Sequence, residues 1–580
     1  MAGGSRPPGR RTTKRPAAAA ARRGGPRGRS CSSNVNGRIR FLRIFCLLFF
    51  ALAFGKALVL ATGSHELTAM ASAQQVHTID LPAHRGAILD RNGQTLAVSQ
   101  SARTVFATPY MLKDPPDAAD VLASVLKISN KTERHALSER LSDRHSGFAF
   151  VEREVTPALA AKVLALRLPG VGAYAEEQRV YPLKSVATQI MGVVGIDNTG
   201  LAGLEFEYNK PLSGKAGSEV VVQDTAGDSL RTLKATDPQS GQDIRLTIDE
   251  EIQYTAEQVL AQTVREYYAK SATAIVMNPE PGEIYAMANA PLVSGAAYGS
   301  AGADARNYAV VDAHEPGSIF KVLTVAGALQ DGLITPSSMF HLPPSITVAD
   351  RGIEEAHKRG TVDFSTTDIL TYSSNVGAVK IGERLGRTGM LKWMKAFGVG
   401  RLTGIDFPGE NIGIMPAWSG STMGNLPMGQ GVAVTPLEMA SIYATIANGG
   451  VRVRPHLVAQ IGDRVIKTPA GKRVISTHVS REVMKMLVSV VAKGTGTAAQ
   501  IPGYVVAGKT GTAEKPLSDG SGYSKVNYVA SFVGLVPAHH PRLLVLVMVD
   551  QPQPIWGSVV AAPAVQKIAS FALQHLEIAP

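Results

Sequence analysis

Apolar positions first gather between Phe41 and Thr62. Ile44 to Gly55 reads IFCLLFFALAFG without a charge, and the stretch as a whole is 22 residues. At 1.5 Å per residue that is enough to cross roughly 30 Å of hydrocarbon as a helix. Its two charges, Arg43 and Lys56, lie towards opposite ends, where long side chains reach the headgroups. Beyond it the pattern shortens. Arg85 to Gly93 predicts a strand closing in an Asn-Gly turn, and 117–144 and 156–167 carry helical spacing in amphipathic stretches. Ile244 to Ile248 reads as a strand, with Asp249 as the N-cap of a helix through Thr263 or beyond. Ala272 to Met277 and Glu283 to Ala288 read as a hairpin turning at Pro281-Gly282, and Tyr528 to Val536 and Leu543 to Asp550 as two further apolar strands. Strands, a helical middle and strands again predict a mixed α+β fold, an antiparallel sheet flanked by helices. The expected organisation is a tail at 1–40, a transmembrane anchor at 41–62, a first folded part at 63–240 and a second at 241–580.

Charge sharpens this picture at one end only. The formal net charge is +12, but residues 1–40 hold eleven Lys and Arg and no acid, leaving 48 basic residues against 47 acidic ones. A duplex-binding domain carries its basic excess on a folded face, so no nucleic-acid partner is expected. The tail is rich in Pro, Gly, Ala and Ser and predicts disorder. Its arginines hold it in the cytoplasm and place 63–580 outside; contact with anionic lipid is compatible with that role. A cleaved signal peptide is the competing reading, supported by the Ala71-Ser72-Ala73 triplet. That triplet lies far beyond the apolar run, which favours a retained anchor. The two cysteines, Cys31 and Cys46, both fall at or before the anchor. The exported part therefore has no disulfide or thiol chemistry.

Three short segments carry candidate chemistry. In Glu315-Pro316-Gly317-Ser318-Ile319-Phe320-Lys321, Pro316 and Gly317 suit the start of a helix that Val322 to Leu329 continues. Ser318 and Lys321, three apart, share a helical face. A serine hydroxyl needs a base in reach, and a neutral lysine one turn along can be that base. Alone, this pattern is as common as a capping serine beside a surface lysine. In Ser373-Ser374-Asn375 a second hydroxyl can relay a proton, and the Asn375 amide can hold substrate and lysine. In Gly508-Lys509-Thr510-Gly511-Thr512 a strand offers a cation and hydroxyls for a carboxylate, and Gly511 leaves room for a substrate backbone at the edge. A phosphate loop would put a helix after the Gly-Lys-Thr, where this chain has TGTAEKP.

The order of the three segments is specific where each alone is not. With it the chain resembles a class B penicillin-binding protein of the cell-division type. RGAILDRNGQTLA (85–97), RVYP (179–182) and GLAGLEFEYNKPLSG (200–214) look like that family's non-catalytic pedestal, the dimerisation-like domain. AIVMNPEPGEIYAMANAP (274–291) and GQGVAVTPLEMA (429–440) look like its transpeptidase domain, while the loop at 292–307 departs from the family pattern. The resemblance implies a peptidoglycan D,D-transpeptidase acting on D-Ala-D-Ala stem peptides and acylated by β-lactams. Ser318 would be the nucleophile and Lys321 its base. Ser373 and Asn375 would serve proton relay and alignment, and Lys509, Thr510, Gly511 and Thr512 substrate binding. The N–H groups of Ser318 and Thr512 would form the oxyanion hole. It implies no metal or cofactor. It implies a single-pass inner-membrane protein with a periplasmic catalytic domain, acting at the septum with a polytopic glycosyltransferase and other division proteins. Rival readings are an elongation-type transpeptidase, a serine β-lactamase, a β-lactam sensor, a bifunctional synthase and an inactive scaffold.

Overall fold

The computed structural model describes residues 35–62, 76–223, 229–517, 519 and 522–580. The basic tail up to residue 34, Cys31 and the Ala71–Ala73 triplet lie outside the described residues. The chain divides into two units, residues 1–76 and 77–580. In the first, Val35–Thr62 is one 28-residue helix, long and apolar enough to cross a membrane. It begins six residues before the expected anchor, so the last residues assigned to the tail are helical.

In the second unit, the strand Thr95–Ala107 is flanked on both sides by antiparallel partners, Ala149–Val155 and Val171–Val180. Helices Pro115–Val125, Lys131–Ser142 and Pro157–Leu164 close a small core with them around Val105, Leu122, Leu137, Leu141 and Val163. Each helix starts on a side-chain cap, Asp114, Asn130 or Thr156, that accepts a first-turn N–H. The three pedestal-like segments meet in one buried ion cluster. The Glu205 carboxylate accepts from Arg85 Nε at 2.6 Å and Arg179 Nε at 2.7 Å, and Arg85 also donates to Asn209 Oδ1 at 2.7 Å. The sheet does not stop at the expected boundary near 240. Ile88–Leu89 pairs in parallel with Ile244–Leu246, which pairs with Val458–Ile461 from far along the chain.

The remainder is built on a five-stranded antiparallel sheet. Its strands are β1 (Ser271–Met277), β2 (Ile284–Ala290), β3 (Ala507–Pro516), β4 (Tyr523–Val536) and β5 (Leu543–Asp550), in the order β2-β1-β5-β4-β3. Its middle strands are buried on both faces, which is why they read as continuous apolar runs rather than alternating ones. Helices α1 (Glu250–Glu266) and α5 (Gly557–His575) cover one face. On the other lie α2 (Lys321–Gln330), α3 (Asn375–Phe397) and α4 (Thr477–Lys493). Asp249 caps α1 as its position predicts, accepting from Ile252 N. The departing loop 292–307 folds into two 3₁₀ turns, and Gln189 Nε2 donates to Asp304 O at 2.7 Å. β3 is an edge strand, and the candidate chemistry collects beside it.

Candidate active site

Ser318 does not sit in an α-helix. Gly317–Phe320 is a 3₁₀ turn, and α2 begins at Lys321. In a 3₁₀ turn residues i and i+3 eclipse, so the turn sets Lys321 over Ser318 more directly than an α-helix would. Gly317 has φ +55°. The segment 429–443 holds this turn from outside. Gly317 N donates to Gly429 O at 2.9 Å, His314 and Val434 exchange backbone hydrogen bonds, and the Tyr443 hydroxyl donates to Ile319 O at 2.8 Å. Gly429, at φ +87°, comes so close that a Cβ there would lie 2.1 Å from Gly317 O.

Lys321 is fully buried. Its Nζ donates to Ser373 O at 2.6 Å and Asn375 Oδ1 at 2.7 Å, with Ser373 Oγ at 3.4 Å. A neutral amine has two N–H groups and one lone pair. The two short bonds use both N–H groups and leave the lone pair for a proton. Burial pushes Lys321 down to about 7, against the opposing pull of the Glu355 carboxylate. Ser373, at φ +59°, stands between two amines, because Lys509 Nζ donates to Ser373 Oγ at 2.9 Å. Lys509 is also fully buried, and burial first, then the charge of Lys321, hold it well below the ordinary lysine range. From its place in the Gly-Lys-Thr strand, Lys509 is expected to be a cation. Here the neighbouring charge on Lys321 is Glu355, and Lys509 is itself depressed.

Along β3 the side chains alternate. Thr510, Thr512 and Glu514 line a cleft of about 450 Å³ together with Ser318, Ser373 and Asn375. Thr510 Oγ1 is 2.7 Å from Thr495 Oγ1, and Thr512 Oγ1 accepts from Gly557 N at the start of α5. Gly511 faces the interior. A Cβ there would lie 2.2 Å from Ser531 Oγ and 3.2 Å from Pro316 O, so its missing side chain serves packing against the Ser318 turn rather than access to the cleft. Gly508 to Thr512 pair in register with Gly534 to Ala530 of β4, so the Gly-Lys-Thr run is a strand and not a phosphate loop. Among the described residues no group of three His, Cys, Asp or Glu is placed to hold a metal ion.

Sequence reasoning missed the roof of this cleft. The hairpin Ser345–Val348/Arg351–Glu354 and the loop at 355–361 lie beside Ser373–Asn375. Asn375 Nδ2 donates to Glu354 O at 2.8 Å, and the His357 ring packs 5.0 Å from that of Trp556. On the other flank, Glu315 accepts from Gly431 N at 2.9 Å and the Tyr523 hydroxyl at 3.0 Å. Glu355 and His357 stand in a polar loop with no spacing that marks them. Glu315, two residues before a glycine turn, was legible only as part of its motif.

Comparison with known proteins gives the family of both folded parts. Residues 272–570 match the family model of the penicillin binding protein transpeptidase domain, and 80–246 that of the penicillin-binding protein dimerisation domain. The chain is 34% identical to stage V sporulation protein D of Bacillus subtilis, over 94% of this chain and 87% of that one. It is 32% identical to the probable peptidoglycan D,D-transpeptidase PenA of Neisseria gonorrhoeae, over 94% of each. Against the peptidoglycan D,D-transpeptidase FtsI of Escherichia coli it is 32% identical, over 87% of this chain and 85% of that one. Among solved structures, penicillin binding protein 3 of Mycobacterium tuberculosis complexed with aztreonam superposes with TM-score 0.68 at 28% identity, covering 86% of this chain and 98% of that one.

Proposed function

The chain belongs to the class B penicillin-binding proteins, and on that premise we propose that it is a peptidoglycan D,D-transpeptidase whose nucleophile is Ser318. One observation carries the assignment: Ser318, Ser373 and Asn375 line one cleft, and the fully buried amines of Lys321 and Lys509 reach Ser373 and Asn375 beneath it, with both N–H groups of a neutral Lys321 occupied. Ser318 Oγ attacks the carbonyl of the penultimate D-Ala and Lys321 takes its proton. The N–H groups of Ser318 and Thr512 receive the oxyanion. Ser373 passes a proton to the departing D-Ala, whose carboxylate is held by Lys509, Thr510 and Thr512. An incoming carboxylate favours the proton of the lysine pair on Lys509, which leaves Lys321 neutral. An amine of a neighbouring stem peptide then resolves the acyl-enzyme into a crosslink. β-Lactams enter the first half of this sequence and stop there.

The helix Val35–Thr62 is read as a single membrane anchor, with the arginine-rich tail inside and the catalytic part outside. The asparagine in third place of Ser373-Ser374-Asn375 supports action at the division septum, beside a polytopic glycosyltransferase and other division proteins. Penicillin should label the membrane-bound protein and Ser318→Ala should remain folded and unlabelled; an adduct mapped to another serine would refute the assignment. A label that decays within minutes would support a β-lactamase instead. Depletion should give filaments with blocked division. Cells that divide but swell would favour the elongation-type reading.

A further inference from the structure

The loop at 355–361 carries no motif, yet its first residue is tied to the start of the helix that carries Asn375 by three hydrogen bonds. The Glu355 side chain is only 6% exposed. Its Oε1 accepts from Ser374 Oγ at 2.6 Å and from Arg359 Nη2 at 2.5 Å, with Val376 N at 3.3 Å. Its Oε2 accepts from Asn375 N at 2.8 Å. Three of these donors belong to the start of α3, where first-turn N–H groups have no partner inside the helix and a negative charge is favoured. Ser374 already caps that helix through Gly377 N at 2.9 Å, so Glu355 acts on a capped terminus and not in place of its cap.

The consequence reaches Lys321 along two routes. Asn375 is gripped at three points: its N–H by Glu355, its Nδ2 by Glu354 O, and its Oδ1 by Lys321 Nζ at 2.7 Å. Rotation of the amide would break the last bond; Glu354 O restrains it from the Nδ2 side, while Glu355 fixes the backbone from which the amide projects. The second route is electrostatic. The charged groups facing Lys321 are Glu355 on the roof loop, with Arg359 behind it, and Lys509 on β3; Ser373 and Asn375 are its neutral partners. Burial drives the amine towards its neutral form, and Glu355 is the one carboxylate that opposes it. A base stripped of that opposition is neutral over a wider pH range but takes up a proton less readily.

Resting on the catalytic roles proposed above, we infer that Glu355 is a positioning residue of the acylation step: it fixes the backbone of Asn375, whose amide holds the Lys321 amine, and its charge sustains the basicity of that amine.

The test is the second-order rate of penicillin acylation against pH, on full-length protein in detergent, with the Ser318 adduct confirmed by peptide mass. Glu355→Gln should lower the plateau by roughly tenfold or more. It should also move the rising, acid-side limb to lower pH, by up to about one unit. Glu355→Asp keeps the charge but not the reach, so its plateau should fall with the limb in place. Arg359→Met removes the counter-charge and should move the limb the opposite way, to higher pH. A Glu355→Gln protein that loses rate with its limb unmoved would reduce Glu355 to a structural support and overturn the inference. Should Glu355→Gln not fold, Arg359→Met decides: a limb at higher pH upholds the inference and an unmoved limb overturns it. A parent protein without a Ser318 adduct overturns the functional reading and this inference together, whereas a labelled parent beside unmoved variants overturns the inference alone.

Discussion

At Lys321 two opposing effects meet, and burial wins over the Glu355 carboxylate. An ordinary lysine, near 10.4, would be protonated and idle at neutral pH. With its value pushed down to about 7, the amine is neutral above that pH and charged below it. Acylation should therefore rise with pH through about 7 and fall away on the acid side, in a rate profile measured with penicillin. Lys321→Arg should abolish it, since a guanidinium does not release its proton. Lys509 makes the sharper test. Burial first, then the charge of Lys321, hold its amine well below the ordinary lysine range, which favours its neutral form in the free cleft. Lys509→Met should then lower the plateau by losing the carboxylate contact while leaving the acid limb in place. A limb that moves to higher pH would show that Lys509 carries a charge in the free cleft, as sequence reasoning alone supposed. The difference is instructive. Residue types and their order identify two lysines around one serine, but which of them is charged depends on burial and on Glu355, a residue outside every motif.

The elements most legible in the sequence are those whose signals are local. The cap at Asp249, the hairpin of β1 and β2, and the apolar strands β4 and β5 all occupy their expected places. Two elements near the site were not legible. The Ser318 turn is 3₁₀ rather than α because the segment at 429–443 clamps it through Gly429 and Tyr443, and no local pattern encodes that clamp. The roof hairpin consists of two four-residue strands, with exposed or half-buried residues at most positions, and has little hydrophobic period to read. The clamp yields a prediction. Gly429→Ala places a methyl 2.1 Å from Gly317 O, and the obstacle is backbone that cannot rotate aside. At φ +87° the alanine is strained in addition. The turn bearing Ser318 must shift, so the variant should lose about 1–3 kcal/mol of stability and most of its acylation rate. A thermal melt and a penicillin time course check the two separately. Unchanged acylation would show that the turn holds its shape without the clamp.

On the scale of the whole exported unit, the question is whether the boundary expected near residue 240 separates two folding units. Composition and resemblance both suggest two parts. The pairing pattern joins them: Ile88–Leu89 lies against Ile244–Leu246, and that strand against Val458–Ile461. Such pairing links residues more than a hundred positions apart, which is why no window of sequence reveals it. The buried cluster of Arg85, Arg179 and Glu205 lies at one end of this continuous sheet, with Arg85 three residues before the strand that crosses over. Arg85 and Glu205 have fully buried side chains. Removing Arg85 leaves Glu205 one partner instead of two in a site closed to water, and breaking a buried pair this way costs about 3–5 kcal/mol. If the sheet transmits that loss, Arg85→Met should lower the melting temperature of the exported unit as a single transition, and covalent acylation of Ser318 by penicillin should be lost over that same transition. If the two parts melt independently, calorimetry should instead split into an early transition and a later one that retains penicillin labelling between them. We expect the single transition, because Ile88, Ile244, Leu246 and Val458 belong to the same buried core as Phe320 and Leu323 beside the nucleophile. Opening the sheet at Ile88 would expose one end of the core that holds the Ser318 turn.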